Sequence, residues 1–82
     1  MYKAKIFVQL KESVLDPQGK AVVNALKSLE FDKVKDVRVG KFFEVLIEED
    51  DENKASDYVK LMCKKLLVNP VIESYDFKLV KI

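Results

Sequence analysis

The sequence predicts an α+β domain of the ferredoxin-like type, a split β-α-β-β-α-β arrangement with two helices on one face of an antiparallel sheet. Three observations point there: a period-two segment at the start, two capped segments of helical period, and a period-two segment at the end. Residues 2–10 place Tyr2, Ala4, Ile6, Val8 and Leu10 on one face and Lys3, Lys5, Phe7 and Gln9 on the other. That alternation is a strand with a defined inner face.

In Leu15-Asp16-Pro17-Gln18-Gly19, Asp16 is suited to cap a helix and Pro17 to open it, because the missing proline N–H has no partner in a first turn. Val22, Ala25, Leu26 and Leu29 follow at helical spacing and predict a narrow core stripe ending near Glu30. Gly19 falls in the first turn, where glycine costs less than at mid-helix.

Residues 34–49 predict two strands around Gly40. A two-residue turn would split their apolar residues between faces, whereas a three-residue loop, Gly40 to Phe42, aligns Val37 and Val39 with Phe43, Val45 and Ile47. The apolar phase favours the second register. The acids from Glu48 to Glu52 lead into a second helix with Ala55, Tyr58, Val59, Met62, Cys63 and Leu66 inward, and acids suit its positive end. Asn69-Pro70 ends that helix, since a residue preceding proline is pushed out of the helical region. A last strand is predicted from Val71 to Val80, with Val71, Tyr75, Phe77 and Leu79 inward. The opposite sheet face would carry Phe7, Phe42, Leu46, Ile72, Val80 and Ile82 among Lys5, Glu44 and Lys78, a surface expected to associate with another copy or another chain.

Composition narrows the function. A chain of 82 residues is read as one domain, and at this size folding buries only about 60–65% of the unfolded surface. With 15 basic and 14 acidic residues, a net charge of +1 gives no electrostatic footprint for nucleic acid or anionic membrane. No apolar run approaches the roughly 18 residues of a membrane span, and the single cysteine suits a reducing compartment, so a cytoplasmic protein is expected.

The absence of histidine removes ordinary Ser-His and Cys-His nucleophile pairs and any imidazole metal ligand. Cys63 is read as a buried, inert thiol. Glu48 to Glu52 lack the spacing and the glycine of a calcium loop, and are read as a solvated helix start. Glu12 and Asp16 lack an apolar pocket to tune a catalytic carboxyl, so they are read as loop and cap residues.

Two binding modules share the predicted topology. Gly40-Lys41-Phe42-Phe43-Glu44-Val45 partly matches an RNA-recognition signature, but Phe43 is expected in the core, Glu44 repels phosphate and Phe7 has no second stacking ring. The other is an ACT-like regulatory module, which would bind a small metabolite at a subunit interface. Arg38, the sole arginine, and Lys41 form the preferred polar contact for a partner or anion.

Three stretches together resemble one family: Leu10-Lys11-Glu12-Ser13-Val14-Leu15-Asp16-Pro17-Gln18-Gly19-Lys20-Ala21-Val22, Asp36-Val37-Arg38-Val39-Gly40-Lys41-Phe42-Phe43-Glu44, and Met62-Cys63-Lys64-Lys65-Leu66-Leu67-Val68-Asn69-Pro70-Val71-Ile72-Glu73. The chain resembles PurS, the small subunit of phosphoribosylformylglycinamidine synthase. The resemblance implies a non-catalytic adaptor in purine biosynthesis that forms dimers or dimers of dimers. It would join a large synthetase subunit to a glutamine amidotransferase subunit so that ammonia passes between their sites. ATP, Mg²⁺ and glutamine would be used by those partners, with no cofactor held by this chain. Loop position and motif resemblance together nominate partner contacts at Lys11, Glu12, Asp16, Pro17, Gln18 and Gly19, at Arg38, Gly40, Lys41 and Phe42, and at Asn69 and Pro70. The sheet face of Phe7, Phe42, Leu46, Ile72 and Val80 is assigned to self-association.

Overall fold

A computed structural model describes residues 1–82. In chain order the elements are β1 (Tyr2–Leu10), α1 (Pro17–Ser28), β2 (Gly40–Ile47), α2 (Glu52–Met62) and β3 (Glu73–Lys81). The sheet is antiparallel throughout, in the order β2-β1-β3, with the two N-terminal partners of β1 at Ile47 and Lys81 opposite Tyr2. The α+β class with an antiparallel sheet is as the sequence predicts.

The strand expected over residues 34–39 does not form. Those residues run without ladder pairing, and Gly40 to Phe42 lie inside β2 opposite Gln9, Val8 and Phe7 instead of turning a hairpin. The cause is competition for backbone groups: the Val39 amide donates to Asp16 Oδ2 at 2.9 Å, and the Arg38 guanidinium is tied to carbonyls beyond the end of β1. The inward register of Phe43, Val45 and Ile47 nevertheless holds, because pairing with β1 preserves their phase.

The core lies between the sheet and α2. Ala4, Ile6 and Val8 of β1, Ile47 of β2, and Val59, Cys63 and Val68 form one buried cluster, with Phe43, Val45, Phe77 and Leu79 packed at its margin. Fully burying side chains of this kind contributes about 1.5–3 kcal/mol each. Ala55 is also buried, as expected, but Tyr58 and Leu66 are exposed. Leu66 leaves the inner face because α2 runs into a wide π-type turn over Cys63–Leu67, closed by the Val68 amide on the Cys63 carbonyl at 3.0 Å. The extra residue rotates the following side chains, so Val68 takes the buried position.

The last strand starts two residues later than predicted, and Val71 is exposed in the turn before it. Asn69 holds that turn: its side chain accepts from the Val71 amide at 3.1 Å, and its carbonyl accepts from Glu73 at 2.8 Å. Tyr75 is half-exposed on β3.

Helix α1 departs most from expectation. Val23 is buried, yet Val22 and Ala25 are exposed and Leu29 is 68% exposed. Helix α2 packs over β1 and β3, whereas α1 has no comparable packing against any strand. The molecule is correspondingly extended, 49 × 28 × 14 Å.

Candidate functional site

The three nominated segments converge at one end of the sheet, where β1 finishes and β2 and β3 begin. Asp16 is the centre of this arrangement. It caps α1 with backbone angles φ −113° and ψ 90°, and its Oδ1 accepts from the Gly19 amide at 3.0 Å while Oδ2 accepts from Val39 at 2.9 Å. One carboxylate thus joins the helix start to the segment entering β2. These amide bonds from Gly19 and Val39, aided by the nearby Arg38 charge, hold the Asp16 carboxyl below its ordinary range.

Gly19 permits the approach. A Cβ there would stand 2.1 Å from the Val37 carbonyl oxygen and 2.7 Å from Asp16 Oδ2. At Gly40 a Cβ would stand 2.5 Å from the Val8 carbonyl oxygen. Both glycines serve close backbone approach, a role that composition and spacing leave invisible for Gly19.

Arg38 Nη2 donates to the carbonyls of Leu10 at 3.1 Å and Lys11 at 2.9 Å, satisfying groups left over where the β1 ladder ends. Lys11 reaches the third segment, its Nζ donating to the Pro70 carbonyl at 2.9 Å and its amide to the Ile72 carbonyl at 2.9 Å. Lys41 pairs with Glu73 at 3.1 Å. Glu73 also accepts from the Asn69 amide at 2.7 Å, and this bond, reinforced by Lys41, lowers its carboxyl from the ordinary value. Lys41 is therefore paired within the chain while its side chain stays half-exposed. Glu12, Pro17 and Gln18 remain exposed on the rim. Glu73, absent from the nominated set, is the residue that links Asn69 to Lys41; its place in Asn-Pro-Val-Ile-Glu was the available signal.

Because the folded-state carboxyls of Asp16 and Glu73 are depressed, their contribution is present above the ordinary values of 3.8 and 4.5 and is lost as pH falls through the lower folded values. The melting temperature should therefore be nearly flat from pH 7 to about 5 and fall below about 4.5. Calorimetry across that range on wild type and Asp16→Asn checks this, with the variant showing the shallower acid decline.

The outer sheet face bears Phe7, Phe42, Leu46 and Val80, all partly exposed. Phe7 and Phe42 pair at 5.0 Å between ring centroids, so Phe7 does have a second ring beside it, contrary to the sequence reading. Ile72 sits in the turn ahead of β3, at the loop end. A row of Glu44, Lys5 and Lys78 crosses the sheet between Phe7–Phe42 and the row of Leu46, Lys3 and Val80. The apolar surface there is two islands, not one continuous face.

At the acidic run, Asp51 caps α2 through the Asn53 and Lys54 amides and Asp50 pairs with the N-terminal ammonium at 2.7 Å. These are the roles of a helix start, as read from sequence. Cys63 is buried, and desolvation raises its thiol above the ordinary value, which disfavours the thiolate. No helix is long and apolar enough to cross a membrane.

The family model described as PurS, phosphoribosylformylglycinamidine (FGAM) synthase, matches residues 3–81. The PurS subunit of that synthase from Bacillus subtilis is 51% identical over 82 residues, covering 100% of this chain and 96% of its own. The crystal structure of PurS from Methanocaldococcus jannaschii, one of the subunits of formylglycinamide ribonucleotide amidotransferase in the purine biosynthetic pathway, superposes with a TM-score of 0.91 at 44% identity, covering 100% of this chain and 99% of that one. A chain of the PurLQS structure from Thermotoga maritima gives a TM-score of 0.89 at 35% identity, with 96% of each chain covered. Identity and fold agree over the full length, and this chain belongs to the PurS family of phosphoribosylformylglycinamidine synthase subunits.

Proposed function

We propose that the chain is a non-catalytic adaptor in the cytoplasm, holding an ATP-dependent synthetase subunit and a glutaminase subunit in register so that ammonia passes from glutamine to formylglycinamide ribonucleotide. The observation that carries this reading is the loop-end cluster: three distant segments are tied into one exposed surface by Asp16, Arg38, Lys11 and Glu73. A bridging subunit needs such a surface, since contacts held at fixed spacing lower the ordering cost of association. The paired role of Arg38 and Lys41 means that backbone edges and rim side chains such as Glu12, Gln18 and Pro70 meet the partners, with the charged pair setting their positions.

ATP, Mg²⁺ and glutamine are assigned to the partner subunits, and the chain acts as a dimer or dimer of dimers within the complex. Reconstitution tests the reading. Glutamine-dependent synthesis by the synthetase and glutaminase should fall at least tenfold when this chain is omitted, while ammonia-dependent synthesis by the synthetase alone is retained. Equal glutamine-dependent rates with and without the chain would overturn it.

A further inference from the structure

The flank of α2 turned away from the sheet carries a second apolar row that the chain itself leaves open. Tyr58 is 56% and Leu61 46% exposed, three residues apart and therefore neighbours on the helix surface. Lys54 and Lys65 extend the same row at helical spacing. The π-type turn then presents Leu66, 83% exposed, and the turn that follows presents Val71, 77% exposed, next to Pro70. Single exposed apolar residues are ordinary, but four in succession along α2 and the turns that end it mark a docking surface.

The charge around this row is one-sided. From Tyr58 to Ile72 the chain has three lysines, Lys60, Lys64 and Lys65, and no acid, although its net charge is only +1. All three are exposed, and none enters an ion pair within the chain. An apolar centre rimmed by unpaired ammonium groups complements an apolar surface rimmed by carboxylates. Matching of that kind fixes orientation and speeds association.

We infer that this flank, from Tyr58 to Val71, docks the glutaminase subunit through an acid-rimmed apolar patch on that subunit. The inference rests on the adaptor reading. A bridge needs one surface for each body, and the loop-end cluster serves the synthetase. The α2 row starts at the opposite end of the sheet, beside Ile47 where β2 finishes, and reaches the loop end only at Pro70. Two bodies held on these surfaces stand side by side, as the passage of ammonia between them requires.

Co-elution of the three full-length proteins, with ATP, Mg²⁺ and glutamine present, tests the assignment. Leu66→Asp should keep the synthetase and lower affinity for the glutaminase by about tenfold or more, while Leu66→Met behaves as wild type. Glutamine-dependent synthesis should fall in parallel and ammonia-dependent synthesis should not. Lys64→Glu combined with Lys65→Glu, both at exposed positions, should give the same result, and it decides the matter if circular dichroism shows Leu66→Asp to be unfolded. Full retention of the glutaminase by either folded variant, or loss of the synthetase along with it, would overturn the proposal. A smaller oligomer for either variant on sedimentation would put a second copy on the row and overturn it too, as would binding of the wild-type chain to phosphatidylglycerol vesicles, which would put a membrane there. Failure of the wild-type chain to bring glutaminase and synthetase together would instead overturn the adaptor reading, and this inference with it, before any variant is compared.

Discussion

Gly19→Ala should lower the melting temperature by about 5–15 °C. The new Cβ would fall 2.1 Å from the Val37 carbonyl oxygen and 2.7 Å from Asp16 Oδ2. Neither neighbour can yield cheaply. Val37 belongs to a segment pinned through the Val39 amide, and the Asp16 carboxylate is fixed by two amides at once. Overpacking of this kind costs about 1–3 kcal/mol, sometimes more, and in a domain of this size each kcal/mol shifts the midpoint by about 4–8 °C. Alanine's higher helix propensity, worth about 1 kcal/mol, acts in the opposite direction and is outweighed. Calorimetry of Gly19→Ala measures the balance, and an unchanged or raised midpoint would show that α1 can withdraw from Val37 freely.

Arg38→Glu should abolish co-elution with the synthetase subunit at micromolar concentrations, a loss of at least tenfold in affinity. The guanidinium holds the Leu10 and Lys11 carbonyls, and a carboxylate there would repel both carbonyls and the adjacent Asp16. The segment from 35 to 39 would swing away and take the shape of the loop end with it, while the β ladder and α2 core, built elsewhere, persist. Arg38→Lys keeps the charge but replaces a planar fork by a point charge, so it should recover only part of the affinity. Size-exclusion chromatography of the mixtures, with circular dichroism of each isolated variant, separates lost docking from lost folding. Full co-elution of a folded Arg38→Glu chain would remove Arg38 from the positioning of the interface.

Much of this molecule is legible in its sequence because several local signals agree. The alternation in Tyr2–Leu10, the Asp16-Pro17 cap and the Asn69-Pro70 stop each fall where the structure has a strand, a helix start and a helix end. The segment from Val34 to Val39 carries a strand's pattern in its alternating valines but forms no strand, because its hydrogen bonds are diverted by Asp16 and Arg38, distant residues that periodicity does not register. Leu66 leaves the inward face that its spacing predicts because a single π-type turn shifts the helical phase without any local sequence sign. The helical spacing of Val22, Ala25, Leu26 and Leu29 predicts a core stripe, yet Val22, Ala25 and Leu29 are exposed, because apolar spacing does not register whether a surface to cover it lies within the chain. At the loop end, the motifs mark the three segments, while the bonds of Arg38 to the Lys11 carbonyl and of Lys41 to Glu73 join residues too far apart in sequence for any local pattern to show.

The bifurcated role of Asp16 bears on how this end of the molecule moves. The amides of Gly19 and Val39 share one carboxylate, so fraying of the first turn of α1 loosens the anchor of the strand entry as well. Lys11 and Arg38 extend the same restraint to the Pro70 turn. Local opening there is a cooperative event involving all three segments, not three independent fluctuations. A protein gripping any one of them meets the stiffness of the whole end, and that stiffness would let a 9.5 kDa chain transmit position between two bodies much larger than itself.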